Sequence, residues 1–483
     1  MSETAPLSPV TQTVAGVLDH LRFSRFHIKI IVALSLVGFI EAYATAVTGA
    51  LVVSARGPLH MSGTETKWLV IAPTITLVIS MFVGSVYLSD RFSRRRILLV
   101  GVVWSTLFTL LTPLAPTATV LIVFRLLSGF GYGLALPAAY PLGTELLPPR
   151  RRSTFGWTYE IMLGIGFTLT TVMGYVISHA HLQDGWRLLP LPGGALLFVA
   201  PLLIVRFVPE SPRWLAERGQ AAKAEKVLRA ICAKTDSPPP PPLTRLDGTP
   251  APHQPVPPFL TLFTRRMVPH TLLAVGVWVF SLVPFYIVST LLPEVLVHEG
   301  YAVATSFGLA IIIFAVTLPG KWFNGLLMER IGRRATLAGS LLLSAVAVVI
   351  LLVFQGVVAL IVAEIILGLT VFSAFPTVRI YMIEQFPTPL RGRGYFFAEL
   401  VGRFLAGIPI PFILAGSVSR PNVIFTVILV SVLIGGLIPV FFGKDTRGAL
   451  ESAAPTAEPD GATSTGSARR QPMSGALSMT KED

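Results

Sequence analysis

Charge is what this sequence has least of: only 13% of its 483 residues are Asp, Glu, Lys or Arg, about half the ~25% of an ordinary soluble domain. A chain this poor in charge cannot cover a water-soluble fold, so that class is excluded. Cysteine is nearly absent too. The single Cys232 forbids an intrachain disulfide and has no ligating companions at useful spacing, so no metal site is expected. No phosphate-binding glycine loop occurs, so neither ATP nor another cofactor is expected. No nucleophile, base and orienting group stand at a recognisable spacing, which argues against an enzyme. The first twenty residues hold no apolar core; a cleavable signal peptide is not expected, and the first apolar helix should serve as the insertion signal.

What the chain has instead is apolar length. Hydrophobic residues make up 53% of it and the mean hydropathy is +0.70. A bilayer crossing takes about 20 mostly apolar residues as a helix, because backbone amides in lipid must be satisfied within the segment. Apolar runs predict spans near 29–54, 68–89, 97–114, 118–141, 153–178 and 188–207. Six more are predicted near 267–292, 303–328, 335–354, 357–380, 393–416 and 421–442. The expected fold class is an all-α membrane protein with twelve transmembrane helices in two six-helix bundles. The net charge of +13 does not read as a nucleic-acid surface, because the basic residues sit in short clusters between apolar runs. With both termini placed in the cytoplasm, only Arg56, Lys67, Arg187 and Arg420 fall outside and only Arg125, Lys321, Arg379 and Arg403 within spans. That leaves 30 of the 38 Lys and Arg on the cytoplasmic side, an asymmetry that predicts the orientation in a bacterial-type inner membrane.

Residues 1–28 are expected to be a cytoplasmic segment, 29–207 the first bundle and 266–442 the second. Between them, residues 208–265 form a cytoplasmic loop. Its first part, Trp214 to Ala233, sets Leu215, Val227, Leu228 and Ile231 among Lys and Arg, which predicts a surface amphipathic helix. Its second part holds Pro238 to Pro242 and further prolines up to Pro258, the composition of an extended linker. Residues 443–483, rich in Ser, Ala, Thr and Gly, read as a disordered cytoplasmic tail.

One offset recurs along the chain. Asp90-Arg91 with Arg94-Arg95 matches Glu329-Arg330 with Arg333-Arg334 at 239 residues, and Glu145, Pro148 and Arg152 match Glu384, Pro387 and Arg391 at the same distance. Embedded positions obey it as well: Arg125 and Gly129 face Glu364 and Gly368, and Glu160 faces Glu399. Parallel six-helix repeats are a transporter architecture, in which a central site opens to alternate sides as the halves rock.

The motifs resemble the major facilitator superfamily, and within it the sugar porter and metabolite:proton symporter branches, over residues 29 to 442. The carriers are Asp90-Arg91-Phe92-Ser93-Arg94-Arg95, Phe124-Arg125-Leu126-Leu127-Ser128-Gly129-Phe130-Gly131-Tyr132-Gly133, and Pro209-Glu210-Ser211-Pro212-Arg213-Trp214-Leu215. The chain departs from the pattern at Val86 and Ser93, where the family has Gly, while the second copy keeps Gly325 and Gly332. Helix 7 reads Val277-Trp278-Val279-Phe280-Ser281-Leu282-Val283-Pro284-Phe285 in place of the sugar porters' Gln-Gln-Leu-Ser, which weakens a hexose reading.

Asp90, Arg91, Arg94, Arg95, Glu145 and Arg152 of the first copy, and Glu329, Arg330, Arg333, Arg334, Glu384 and Arg391 of the second, are expected to form a cytoplasmic gate of ion pairs across the two halves. The alternative is that these Arg clusters only hold topology against the anionic leaflet. The resemblance implies that Glu210 and Arg213 join the same network.

A charge at the bilayer centre costs about 2.5 to 3.5 kcal/mol on insertion scales, so it normally faces a partner or a wet cavity. Glu41, Arg125, Glu160, Glu364, Arg379, Glu399 and Arg403 are the candidates for proton coupling and the central cavity, with Lys321 an eighth case. The resembling symporters carry an Asp in helix 1 that aligns with Ala44; Glu41 lies three residues earlier on the same helix face. Glu41 is expected to pair with Arg125, either as a switching proton site or as a static buried pair. Glu399 and Arg403, at i and i+4, either neutralise one another or serve the substrate. Arg379 either snorkels to the interface or binds a substrate carboxylate. Tyr43, Trp157, Tyr159, Trp278, Phe285, Tyr286 and Trp322 are aromatic candidates for lining a substrate site.

The expected function is secondary active transport by alternating access: proton symport of a small metabolite, with an organic or aromatic acid ahead of a sugar. Proton-driven efflux and a non-transporting sensor are the alternatives. The expected partners are the substrate, protons and the bilayer, not nucleic acid, with the chain acting as a monomer.

Overall fold

The computed structural model describes residues 9–443 apart from 85–87, 89–90, 181, 183, 244–258, 355 and 388–389. Among them the first half of the chain forms α1 (Pro9–Asp19), α2 (Arg25–Ser54), α3 (Gly63–Val83), α4 (Arg94–Leu111), α5 (Ala118–Leu146), α6 (Pro149–His179), α7 (Leu191–Ala195) and α8 (Ala200–Phe207). The connector carries α9 (Pro212–Glu217) and α10 (Ala221–Lys234). The second half forms α11 (Val268–Thr290), α12 (Leu292–His298), α13 (Val303–Ile331), α14 (Arg333–Val353), α15 (Val357–Leu369), α16 (Phe375–Glu384), α17 (Arg391–Gly407), α18 (Pro409–Leu414) and α19 (Pro421–Phe442). The face carrying Asp19, α9 and α10 is called the linker face below, and the opposite one the far face.

Side-chain caps set several helix starts. Ser24 and His27 form a capping box at α2, and Ser62 and Glu65 form one at α3, with Ser62 N donating to Glu65 Oε2 at 2.9 Å. Ser93 and Thr117 cap α4 and α5. Gly332 at φ +96° makes the tight turn from α13 to α14. Its repeat mate Ser93 sits at φ −69°, open to any residue, so the first copy does not need the glycine the second copy keeps.

Among the described residues, eleven helical stretches are long and apolar enough to cross a membrane. The expected crossing over 357–380 exists as two pieces, α15 and α16, interrupted at Thr370–Ala374, with Pro376 in the first turn of α16. The expected crossing over 188–207 is also interrupted, between α7 and α8. There Gly194 lies against Leu110 of α4, where a Cβ would come within 2.6 Å of its Cα. Both interruptions occur inside apolar runs, which hydrophobicity alone reads as continuous.

In the first half α2 packs on α6 and α5, and α3 and α4 pack on α5. In the second, α11 packs on α17 and α19, α13 on α15, and α14 on α19 and α15. The halves meet through α6 against α13, α3 against α17 and α18, and α2 against α11 and α12.

The expected surface helix over 214–233 is two helices, separated by a turn in which Gly219 takes φ +67°. Ala221, Ala224, Leu228, Ile231 and Cys232, at helical spacing, are buried. α10 packs on α9 and α1, so this apolar face is covered by protein rather than lipid. Burial raises the Cys232 thiol pKa. The prolines of 244–258 and residues 444–483 lie outside the described residues.

Candidate functional site

Six ionisable side chains converge at the bundle interface, three acids and three bases. Glu160 of α6 receives Lys321 Nζ at 2.9 Å and Arg379 Nη1 at 2.7 Å. Lys321 also donates to the Glu160 carbonyl at 2.8 Å. Glu41 of α2 receives Arg403 Nη2 at 2.7 Å. Glu399 lies 3.5 Å from Arg403 Nη2 and 3.9 Å from Arg379 Nη2. Tyr159 and Tyr395 donate to Glu41 and Glu399 at 3.5 and 3.4 Å. Every one of the six side chains is nearly withdrawn from solvent, Arg379 the least so at 11% exposed. Removing one partner from such a buried pair costs roughly 3–5 kcal/mol, because the other charge is left uncompensated. With three charges of each sign, the cluster is neutral as a set.

The expected partner of Glu41 was Arg125, and the structure corrects this. Arg125 turns to the α2 backbone instead, donating to the Ala44 carbonyl at 2.6 Å and to Thr48 Oγ1 at 3.1 Å. It anchors α5 to α2 within one bundle, whereas Arg403 joins Glu41 across the interface. The i,i+4 pair of Glu399 and Arg403 exists, but Arg403 lies closer to Glu41. Arg379 does not snorkel; it is held by Glu160 and lies 5.5 Å from the Trp278 ring centroid. Glu364 is not among the residues lining the cavity, and among the described residues it pairs with no Arg.

Glu41, Glu160, Arg379 and Arg403 line a narrow cavity together with Thr45, Trp278, Phe167, Phe285 and Phe375. It leaves ≈ 20 Å³ for the centre of a water molecule, room for one or two waters. The Nε atoms of Arg379 and Arg403 and the indole Nε1 of Trp278 are buried with no acceptor among the described residues. Three donors without acceptors around one cavity suit an acceptor-rich ligand, and an aromatic wall suits a ring.

The other aromatic candidates divide. Tyr43 donates to the Leu189 carbonyl at 2.7 Å and fixes the segment before α7. Trp157 packs on Gly325 between the bundles, whereas Tyr286 packs on Gly407 within the second bundle. Trp322 is 66% exposed and turned away from the cavity.

On the linker face the expected cross-half ion pairs take another form. Arg94 pairs with Glu145, and Arg333 with Glu384 at 3.6 Å. These are repeat mates, each confined to its own bundle. Glu145 also accepts from Ser211 Oγ at 2.7 Å. Arg152 and Arg213 hold Asp19 at 2.6 and 3.3 Å, tying α1 to the first bundle. Arg95 donates to the Val205 carbonyl, Arg334 to those of Pro439 and Val440, and Arg391 to that of Phe386. Glu210 is half-buried beside the Ser211 amide, while Arg91, Glu329 and Arg330 are exposed. Asp90 lies outside the described residues.

The pair that does cross the interface at a rim was not anticipated. On the far face Arg56 Nη1 lies 2.9 Å from Glu294 Oε1. Beside it Gly49 meets Ser289 so closely that a Cβ would stand 2.5 Å from its carbonyl oxygen, and Trp68 packs on Phe412 at 5.7 Å. Burial raises the Glu294 carboxyl pKa against the pull of Arg56 and His298. An acidic residue in an otherwise apolar outer segment was the available signal.

Two helical bundles meeting across a buried, charge-balanced cavity define an integral membrane transporter. The chain belongs to the major facilitator superfamily, whose family model matches residues 34–411. The niacin transporter NiaP of Acinetobacter baylyi is 27% identical over 439 residues, covering 89% of this chain and 97% of that protein. The inner membrane metabolite transport protein YdjE of Escherichia coli is 28% identical over 446 residues, covering 89% and 95%. Among solved structures, the inward open conformation of the xylose transporter XylE from E. coli aligns with a TM-score of 0.68 at 20% identity, covering 87% of this chain and 97% of that one. That likeness shows the fold alone.

Proposed function

We propose that this transporter takes up a small organic acid, with an aromatic carboxylate favoured, in symport with protons by alternating access. The observation that carries the reading is that Glu41 and Glu160 each occupy an arginine of the opposite bundle at 2.7 Å. A substrate carboxylate has the same charge and geometry and competes for the same guanidinium. When it displaces Glu41 from Arg403, one negative charge is added to a neutral cluster. Glu41, freed in a low-dielectric site, restores neutrality by taking a proton. Acid and proton then travel together, and the salt bridges joining the bundles exchange as the bundles rock.

Trp278, Phe285 and Phe375 supply apolar walls for a ring. A relative named for niacin, itself an aromatic carboxylate, supports this class. The Lys and Arg asymmetry supports a cytoplasmic linker face and termini in an inner membrane. Both bundles, residues 29–207 and 266–442, come from one chain, so a monomer suffices.

The test is uptake into proteoliposomes of labelled niacin, benzoate, succinate and xylose, with and without an inward proton gradient. At least one carboxylate is expected to be concentrated, and only when the gradient is imposed. Gradient-driven xylose accumulation with no acid concentrated would overturn the reading.

A further inference from the structure

We propose that Glu364 is a second proton-binding carboxyl, separate from the central cluster, that carries one additional proton per transport cycle. This rests on the proton-coupled reading above. Glu364 is the repeat mate of Arg125, and it is 2% exposed. Among the described residues, neither of its carboxyl oxygens has a hydrogen-bond partner. It sits seven residues into α15, about 10 Å along the helix from its far-face end.

The elements packed on α15 offer no compensating charge. Those in closest contact with it are α13 and α14. Over Val303–Gly320 and over Ala335–Val353 these helices hold no ionisable residue. Lys321 is bound to Glu160, and Glu329, Arg330, Arg333 and Arg334 stand toward the linker face. On α11 the titratable groups are His270 and Tyr286. An ionised carboxylate this deeply buried, with no donor among the described residues, is far too costly here, so the group takes a proton instead. In this conformation Glu364 is a neutral acid.

The place in the fold supplies the route by which that proton is exchanged. Glu364 lies five residues before the end of α15 at Leu369, where the crossing is interrupted at Thr370–Ala374. Beyond the interruption α16 carries Arg379, which grips Glu160 of the opposite bundle and stacks on Trp278. One interrupted crossing thus holds a central-site arginine on one piece and the neutral carboxyl on the other. When the central pairs exchange, α16 and α15 shift against each other at the interruption. The oxygens of Glu364 then meet water, and the proton leaves.

A buried acid that stayed protonated throughout would be mimicked by glutamine, which makes the proposal testable. Infrared spectra of the purified protein should show the carbonyl stretch of a protonated carboxylic acid that Glu364→Gln removes and Glu41→Gln does not. In proteoliposomes, two protons per monoanion move one net charge, so a membrane potential of 100 mV should raise accumulation of the panel acid by up to about 50-fold. Glu364→Gln should abolish that response while leaving the dependence on the pH gradient, and Glu364→Asp should keep it. No Glu364-dependent acid band, electroneutral uptake by the wild type, or a full potential response in Glu364→Gln would overturn the proposal. Electroneutral gradient-driven uptake would leave the one-proton reading standing, so the two failures are distinguishable.

Discussion

Arg403 of α17 reaches across the bundle interface to Glu41 of α2, Nη2 to Oε1 at 2.7 Å, although Glu399 stands one turn away on its own helix at 3.5 Å. The shorter bond joins the two halves of the molecule; the longer stays within one. A ligand that takes Arg403 from Glu41 therefore loosens the interface at the centre of the fold.

For Glu41→Gln, gradient-driven accumulation of the transported acid should fall to at most what one proton per acid sustains, while exchange of internal for external acid persists. Uptake and counterflow assays on the same vesicles check this. Undiminished concentrative uptake would remove Glu41 from the coupling.

Lys321 is expected to matter for stability as much as for transport. Lys321→Met leaves Glu160 with Arg379 alone and the cluster one negative charge in excess, at a cost of roughly 3–5 kcal/mol. Glu160→Gln in the same chain restores neutrality and should recover much of the loss. Thermal unfolding in detergent of both singles and the double, read as a mutant cycle, measures the coupling. Additive losses would contradict it.

The far-face latch should respond to pH with a definite sign. Burial raises the Glu294 carboxyl pKa in the closed arrangement, while exposure on opening returns it to about 4.3. Closure is thus fully favoured below the exposed value, and that advantage is lost as pH rises through the raised one. Spin-label distances between Gly57 and Ala302, both exposed near this rim, should shorten on acidification in the wild type. In Glu294→Gln they should stay constant.

Two glycines on opposite sides of the cavity should bias the conformation in opposite directions. A Cβ at Gly49 would meet the Ser289 carbonyl at 2.5 Å, and one at Gly325 the Trp157 ring at 2.0 Å. In a Cys232→Ala background, an Ala42→Cys probe on the cavity wall reports access from the far face to a membrane-impermeant thiol reagent. Gly49→Val should speed its labelling, and Gly325→Val should slow it.

Much of this was legible in the sequence. The offset of 239 residues marks both copies of the Arg–Glu linker-face pair, Arg94 with Glu145 and Arg333 with Glu384, because a repeated fold repeats its local contacts. The cost of burying charge in lipid singles out Glu41, Glu160, Arg379, Glu399 and Arg403 from the sequence alone. Their pairing was not legible. Arg125 is the embedded base expected beside Glu41 from the cost of buried charge, but reach across the interface depends on how α2 and α17 approach, which no linear spacing records. Asp19 and Glu294 escaped notice because each gains its meaning only from a distant arginine. The interruption at 370–374 is not legible because its residues, Thr-Val-Phe-Ser-Ala, carry no charge, glycine or proline that would mark a break inside an apolar run.

The exchange of Glu41 for a substrate carboxylate at Arg403 is tested most directly by counting protons. Purified protein in weakly buffered detergent, with a pH indicator, is mixed with the acid that proteoliposomes concentrate. About one proton should be taken up per acid bound, and Glu41→Gln should bind without uptake. Binding by the wild type with no pH change, or equal uptake by Glu41→Gln, would contradict the exchange.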